Sequence, residues 1–304
     1  MPGEHTVTRA PATLGAKPSA YAKAADQNRY RVADAVLFTC AEHGDACVLC
    51  VTAGKNGRNG RTAAVGATLF WLTCPNLNAI IARLEGHRGV QAVTEAMAQQ
   101  TSLCEWHVHS HDDYTVRAKG LLSPAQWAFF DAHFLSQVPP PLRKYGNAAV
   151  GHPTDVKCLH ALVAQTLAGV SNPAGSIVVN YVLLQYQLAN EPVEMGGVEQ
   201  QSDEEKRSAL RGTLDSREFF MSFIVAFVRA ASERHMADWR GLHGTHIEIL
   251  LPEGNVWSKG AVQYMWQDDS HIATLCPDFC ARARSVLVAL EGTPPRRHKK
   301  HRIN

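Results

Sequence analysis

Cys74 in Thr73-Cys74-Pro75 and Cys158 in Asp155-Val156-Lys157-Cys158-Leu159-His160 each stand where the residue pattern opens a helix. A helix start carries unpaired N–H groups and a partial positive charge, which favour thiolate over thiol and so favour metal ligation or nucleophilic attack. Other soft ligands are Cys40, His43, Cys47, Cys50, Cys104 and His160, but their spacing matches no zinc finger. Cys47 and Cys50 form a Cys-x-x-Cys inside an apolar strand pattern, which sends the two thiols to opposite faces and reads as core packing. Cys158 and His160, two apart, point about 200° from each other on a regular helix and would not reach one ion together. His107 and His111, four apart, share a face, and with Asp112 and Asp113 beside them could bind a metal or shuttle protons. A polar surface stretch is the plain alternative. Cys276 and Cys280 also share a helix face and read as packed thiols.

The elements that must position these groups are legible in outline. Tyr30–Phe38 and Ala46–Thr52 read as strands around a turn, and the apolar run Val65–Thr73 as a buried strand. Pro75 suits the first turn of a helix whose buried face is Leu77, Ile80, Ile81 and Leu84. A second helix covers Val90–Gln100 and leads into the histidines. Ser123-Pro124-Ala125-Gln126 is an N-cap and first turn for a helix with Trp127, Phe130 and Phe134. Asp155 is read as the cap of a helix from about Val156 to Ala168, and the apolar segment Ile177–Leu188 as a further helix. The polar stretch Glu194–Arg207 is the linker candidate. After it come a helix from Ser216 to about Trp239, an extended region His246–Met265 and a last helix from about Pro277 to Leu290. The expected fold is therefore α+β, a mostly helical core with a small N-terminal β element. Its expected divisions are a disordered or targeting extension at 1–29, a core domain at 30–193, the linker at 194–207, a C-terminal helical extension at 208–292 and a basic tail at 293–304.

The 304 residues are 45% hydrophobic and 19% charged, enough apolar material for a large core. Thirty Lys and Arg against 28 Asp and Glu leave a net +2, so no whole-protein field points to nucleic acid or membrane. The tail, Pro294 to Arg302, is the local exception and a possible nucleic-acid contact. No apolar run reaches the roughly 20 residues of a membrane helix. The eight cysteines read as reduced thiols in a chain without a secretory pattern, so the expected compartment is cytoplasmic, with mitochondrial as the alternative.

Several motifs then carry a resemblance. The stretch Gly66-Ala67-Thr68-Leu69-Phe70-Trp71-Leu72-Thr73-Cys74-Pro75, then Arg83-Leu84-Glu85, Val156-Lys157-Cys158-Leu159-His160 and Asn172-Pro173-Ala174-Gly175, resemble successive motifs of the family called domain of unknown function 501, over roughly residues 30–188. The resemblance implies a cysteine element upstream of Thr-Cys-Pro, which here falls on Cys40 with His43 three residues on. His111 and Tyr114, followed by Arg117, resemble its His-x-x-Tyr element. It lends no reaction, and the last hundred residues resemble nothing in it.

The leading expectation is a metal-binding Cys/His domain of unknown activity, with Cys40, Cys74 and Cys158, and His43 or His160, around a zinc ion; an iron–sulfur cluster is the lesser alternative. One alternative is a cysteine-dependent hydrolase. Cys74 or Cys158 would be its nucleophile, His111, His160 or Tyr114 its acid–base partners, and Arg83, Arg117 or Lys157 would bind an anionic substrate. The other is an RNA- or protein-binding adaptor that works through the tail.

Overall fold

The computed structural model describes residues 35–39, 46–52, 65–190, 202–233, 242–253, 257, 260–268, 272 and 276–291. The fold is α+β with a helical majority. Strands β1 (Ala35–Thr39), β2 (Ala46–Cys50) and β3 (Phe70–Leu72) form an antiparallel sheet in that order, with Ala35 opposite Cys50 and Cys50 opposite Phe70. Helices α1 (Pro75–Gly86), α2 (Gly89–Gln99), α3 (Thr101–Leu121) and α4 (Pro124–Phe134) follow. After them come α5 (Leu159–Leu167), α6 (Pro173–Asn190), α7 (Asp203–Leu214) and α8 (Arg217–Glu233). The hairpin β4 (His246–Leu250) and β5 (Ala261–Met265) and helix α9 (Phe279–Glu291) complete the described chain.

Local chemistry explains most of these boundaries. Pro75 stands at the first turn of α1, and Ser123 and Gln126 form a reciprocal capping box at α4. Ser202 and Glu205 do the same for α7, which opens inside the polar stretch read as linker. Asn172 closes the α5–α6 corner: its Oδ1 accepts the Gly175 N–H at 2.8 Å, and its Nδ2 donates to the Leu162 carbonyl at 2.9 Å. A Cβ at Gly175 would fall 2.1 Å from Thr166 Oγ1, so the missing side chain is what lets these two helices touch.

α6 is apolar all round and lies at the centre, against α3, α5, α8 and α9, as a helix without a polar face must. Its few polar groups dock the C-terminal third. Asn180 Oδ1 accepts from the Tyr264 hydroxyl and the Gln267 N–H, both at 2.8 Å, while Tyr181 and Gln185 donate to the Leu214 carbonyl. Trp266 stacks on Phe227 with centroids 4.5 Å apart. One hydrophobic cluster therefore runs from Phe38 to Leu290, so the region after residue 202 shares the core of the region before 190. No helix among the described residues is long and apolar enough to cross a membrane.

Candidate metal centre

Two groups of potential ligands are assembled among the described residues: Glu85, Cys158 and His160, and Cys47, Cys74 and Cys280. Within each group the ligand atoms lie within 4.8 Å of one another. The expected pairing of Cys74 with Cys158 is not what the fold makes. Cys74 precedes the first turn of α1 and Glu85 sits in its last, so the two cysteines belong to groups at opposite ends of one helix. Cys40 and His43 lie outside the described residues.

The first group arises because α5 starts three residues later than the sequence pattern suggested. Its N-cap is Cys158, in extended conformation at φ −152° and ψ 117°, while Asp155 caps nothing there. Helical geometry therefore does not separate Cys158 from His160, which corrects the expectation that the pair could not meet. Glu85 reaches across from α1 and accepts the Leu159 N–H at 2.7 Å, so a carboxylate from another helix satisfies the start of α5. His160 Nδ1 lies 3.2 Å from Glu85 Oε1, and its Nε2 donates to the Asn78 carbonyl at 3.2 Å.

With acceptors at both ring nitrogens, His160 is an imidazolium. Burial works against the charge, but the Cys158 side chain, the Glu85 carboxylate and the Asn78 carbonyl outweigh it and push its pKa up to about 10. Burial would likewise raise Glu85; the His160 hydrogen bond and charge, the Leu159 N–H and the Cys158 side chain hold it below its ordinary value instead. All three groups are half-buried, so the cluster keeps an edge toward solvent.

The second group is sealed, with Cys47, Cys74 and Cys280 each at most 4% exposed. Thr73 builds it: its N–H donates to the Cys47 carbonyl at 2.8 Å and its hydroxyl to the Ala46 carbonyl at 2.7 Å, which sets Cys74 beside β2. α9 brings Cys280 Sγ to 3.1 Å from Cys47 Sγ. The Cys280 and Cys47 thiols lower the pKa of Cys74 against the opposing effect of burial. The N–H groups of Leu77 and Asn76 add to this as a field at the helix start, where no side-chain cap bond forms. Cys280 moves upward, since Cys47 and Cys74 hold its proton and burial disfavours its charge. Composition gave the eight cysteines but no sign that β2, the start of α1 and α9 would meet.

The remaining candidates are placed elsewhere. His111 and Tyr114 are buried on α3. Tyr114 donates to the Ala67 carbonyl at 2.8 Å and accepts the Leu69 N–H, and burial raises its pKa far above the phenol range. Beside it Asn147 acts as a surrogate strand at the edge of β3. Its Oδ1 accepts the N–H groups of Leu69 and Phe70, and its Nδ2 donates to the Phe70 and Ala161 carbonyls. Gly146, at φ +60°, lies so close to the His111 ring that a Cβ would come within 2.4 Å of Nδ1. The His-x-x-Tyr element is thus part of a buried polar scaffold. Arg83, expected to hold an anionic substrate, holds this chain's own carboxylates: Asp215 at 2.7 Å and Glu291 at 2.9 Å. Arg117 is half-buried on α3, and Lys157 is exposed and adjoins Cys158 in the chain. The basic tail lies outside the described residues.

Residues 37–180 match the family described as Protein of unknown function (DUF501). The resemblance read over residues 30–188 covers nearly the same stretch. No curated protein and no solved structure matches the chain. The motifs that carry the resemblance now have places. Arg83-Leu84-Glu85 and Lys157-Cys158-Leu159-His160 meet in the half-buried group, and Asn172 to Gly175 forms the α5–α6 corner. Cys280, Asp215 and Glu291 lie beyond the segment that matches DUF501 and bind to it from outside.

Proposed function

We propose that the protein binds a divalent, zinc-like metal ion through Glu85, Cys158 and His160. The observation that carries this reading is the convergence of a carboxylate, a thiol and an imidazole, with ligand atoms all within 4.8 Å, from two separate helices. The Asn78 carbonyl supports it, because it takes the Nε2–H and so turns Nδ1 toward Glu85, the outer-shell arrangement that orients a ligating histidine. The ion would replace the proton that Nδ1 shares with Glu85, so binding releases protons. Three protein ligands with an edge toward solvent leave a position for water, which is the coordination of Lewis-acid rather than purely structural zinc.

The imidazolium favours one second reading, a cysteine-dependent hydrolase. Cys158 at the start of α5 would be the nucleophile, His160 the proton donor to the leaving group, Glu85 the residue that orients the ring and Lys157 a contact for an anionic substrate. Metal analysis of protein purified without a metal-binding tag, combined with alkylation at neutral pH, separates the two. The metal reading expects Cys158→Ser and Glu85→Gln each to lower the metal content by one ion per chain, and Cys158 to become reactive only after chelation. Rapid selective alkylation of Cys158 with no effect of chelator, and unchanged metal content in both variants, would establish the nucleophile and exclude the metal.

A further inference from the structure

We infer that Cys47, Cys74 and Cys280 form a second metal centre, a buried site for a soft cation of the zinc class that fastens α9 to the segment that matches DUF501. The three thiols come from β2, the N-cap of α1 and the first turn of α9, and Cys47 and Cys280 are 233 residues apart in the chain. Three buried thiols from separate elements converge on one point, and soft sulfur ligands gathered in this way are the donor type that binds zinc. Cys50 and Cys276 show the contrast: both are buried, neither belongs to the group, and the Cys276 thiol donates to Asp278 at 3.3 Å. Around a tetrahedral zinc with bonds of about 2.3 Å, sulfurs stand roughly 3.8 Å apart. The Cys47–Cys280 separation of 3.1 Å and the 4.8 Å limit for the whole group bracket that value. A soft cation would displace the proton that Cys280 donates to Cys47 Sγ, and the thiolates left at this sealed site need its positive charge. The helix start at Cys74 contributes part of that positive field and the Thr73 clamp fixes the geometry.

This centre is independent of the Glu85 site, and the two are counted separately in a Cys158→Ser background. Full-length Cys158→Ser protein, purified without a metal-binding tag, is expected to retain one zinc per chain. Cys280→Ser in that background is expected to lose it, and Cys276→Ser to keep it. A second measurement leaves all three cysteines of this group in place. In the Cys158→Ser protein, peptide mapping after alkylation should find Cys47, Cys74 and Cys280 protected together, and modified together once chelator is added. Reconstitution with Co(II) should give the near-ultraviolet band of thiolate-to-metal charge transfer. Cys158→Ser protein that is folded yet metal-free and silent with Co(II) would overturn the inference. So would a Cys47–Cys280 disulfide in the non-reduced peptide map.

Discussion

Acid should weaken this fold through His111, and the size of the loss follows from its surroundings. His111 and His107 lie one turn apart on α3, 4% and 1% exposed, with ring centroids 4.8 Å apart. Their Nε2–H groups donate to the carbonyls of Pro153 and Asp155, and neither Nδ1 has a hydrogen-bond partner among the described residues. Burial, then the charge His107 would carry, lowers His111 from 6.5 to about 4; the Pro153 carbonyl only partly opposes this. His107 is lowered by burial too, against the pull of the Asp155 carbonyl and carboxylate. A ring kept neutral in the fold takes up a proton in the unfolded chain below about pH 6.5, so the unfolded state binds more protons there and stability falls with pH. The contribution is fully present above 6.5 and lost as pH drops toward about 4. At roughly 1.4 kcal/mol per pH unit the whole loss is about 3 kcal/mol, of which about 2.5 kcal/mol is gone by about pH 4.5. Urea unfolding of the wild type and His111→Gln, followed by tryptophan fluorescence at several pH values from about 7.5 to 4.5, isolates this component from the titrating carboxylates. The wild type should lose about 2.5 kcal/mol more than the variant over that range. Equal losses would refute the assignment of a neutral, buried His111.

Two further outcomes are expected. Asn147→Ala should cost about 3 kcal/mol in the same assay, because it strands the Phe70 N–H and the Phe70 carbonyl in a dry interior; a loss below about 1 kcal/mol would contradict the surrogate-strand role. Arg83→Met should cost about 2 kcal/mol by leaving Asp215 and Glu291 without their shared cation, and the difference from wild type should narrow in high salt, which calorimetry in low and high sodium chloride would read.

The fold was largely legible because its punctuation is local. Pro75, the Ser123–Gln126 box and the apolar pattern of Ile177–Leu188 each specify an element with their own side chains. The sites were less so, for two different reasons. For Cys158 the error was one of register: Asp155 is an acceptable cap by residue type, yet the helix begins after Cys158 because Glu85, 74 residues earlier, supplies the acceptor for Leu159. For Cys74 it was one of distance. Strand alternation correctly set Cys47 and Cys50 apart, but nothing near Cys47 announces a thiol in α9. The His111 and Tyr114 pattern was visible as a motif and ambiguous as chemistry, because types and spacing are the same whether such groups line a site or hold a strand edge.

Helix α1 acts as a ruler between the two ligand groups. Cys74 and Glu85 are eleven residues apart along it, about 16 Å at the fixed rise of an α-helix. A one-residue insertion midway would leave Cys74 in its turn but swing Glu85 by about 100° and advance it by about 1.5 Å, away from both His160 and the start of α5. It would also turn Arg83 off Asp215 and Glu291. Many side-chain changes on the outer face of α1 can be absorbed, whereas its length is a fixed quantity of the molecule.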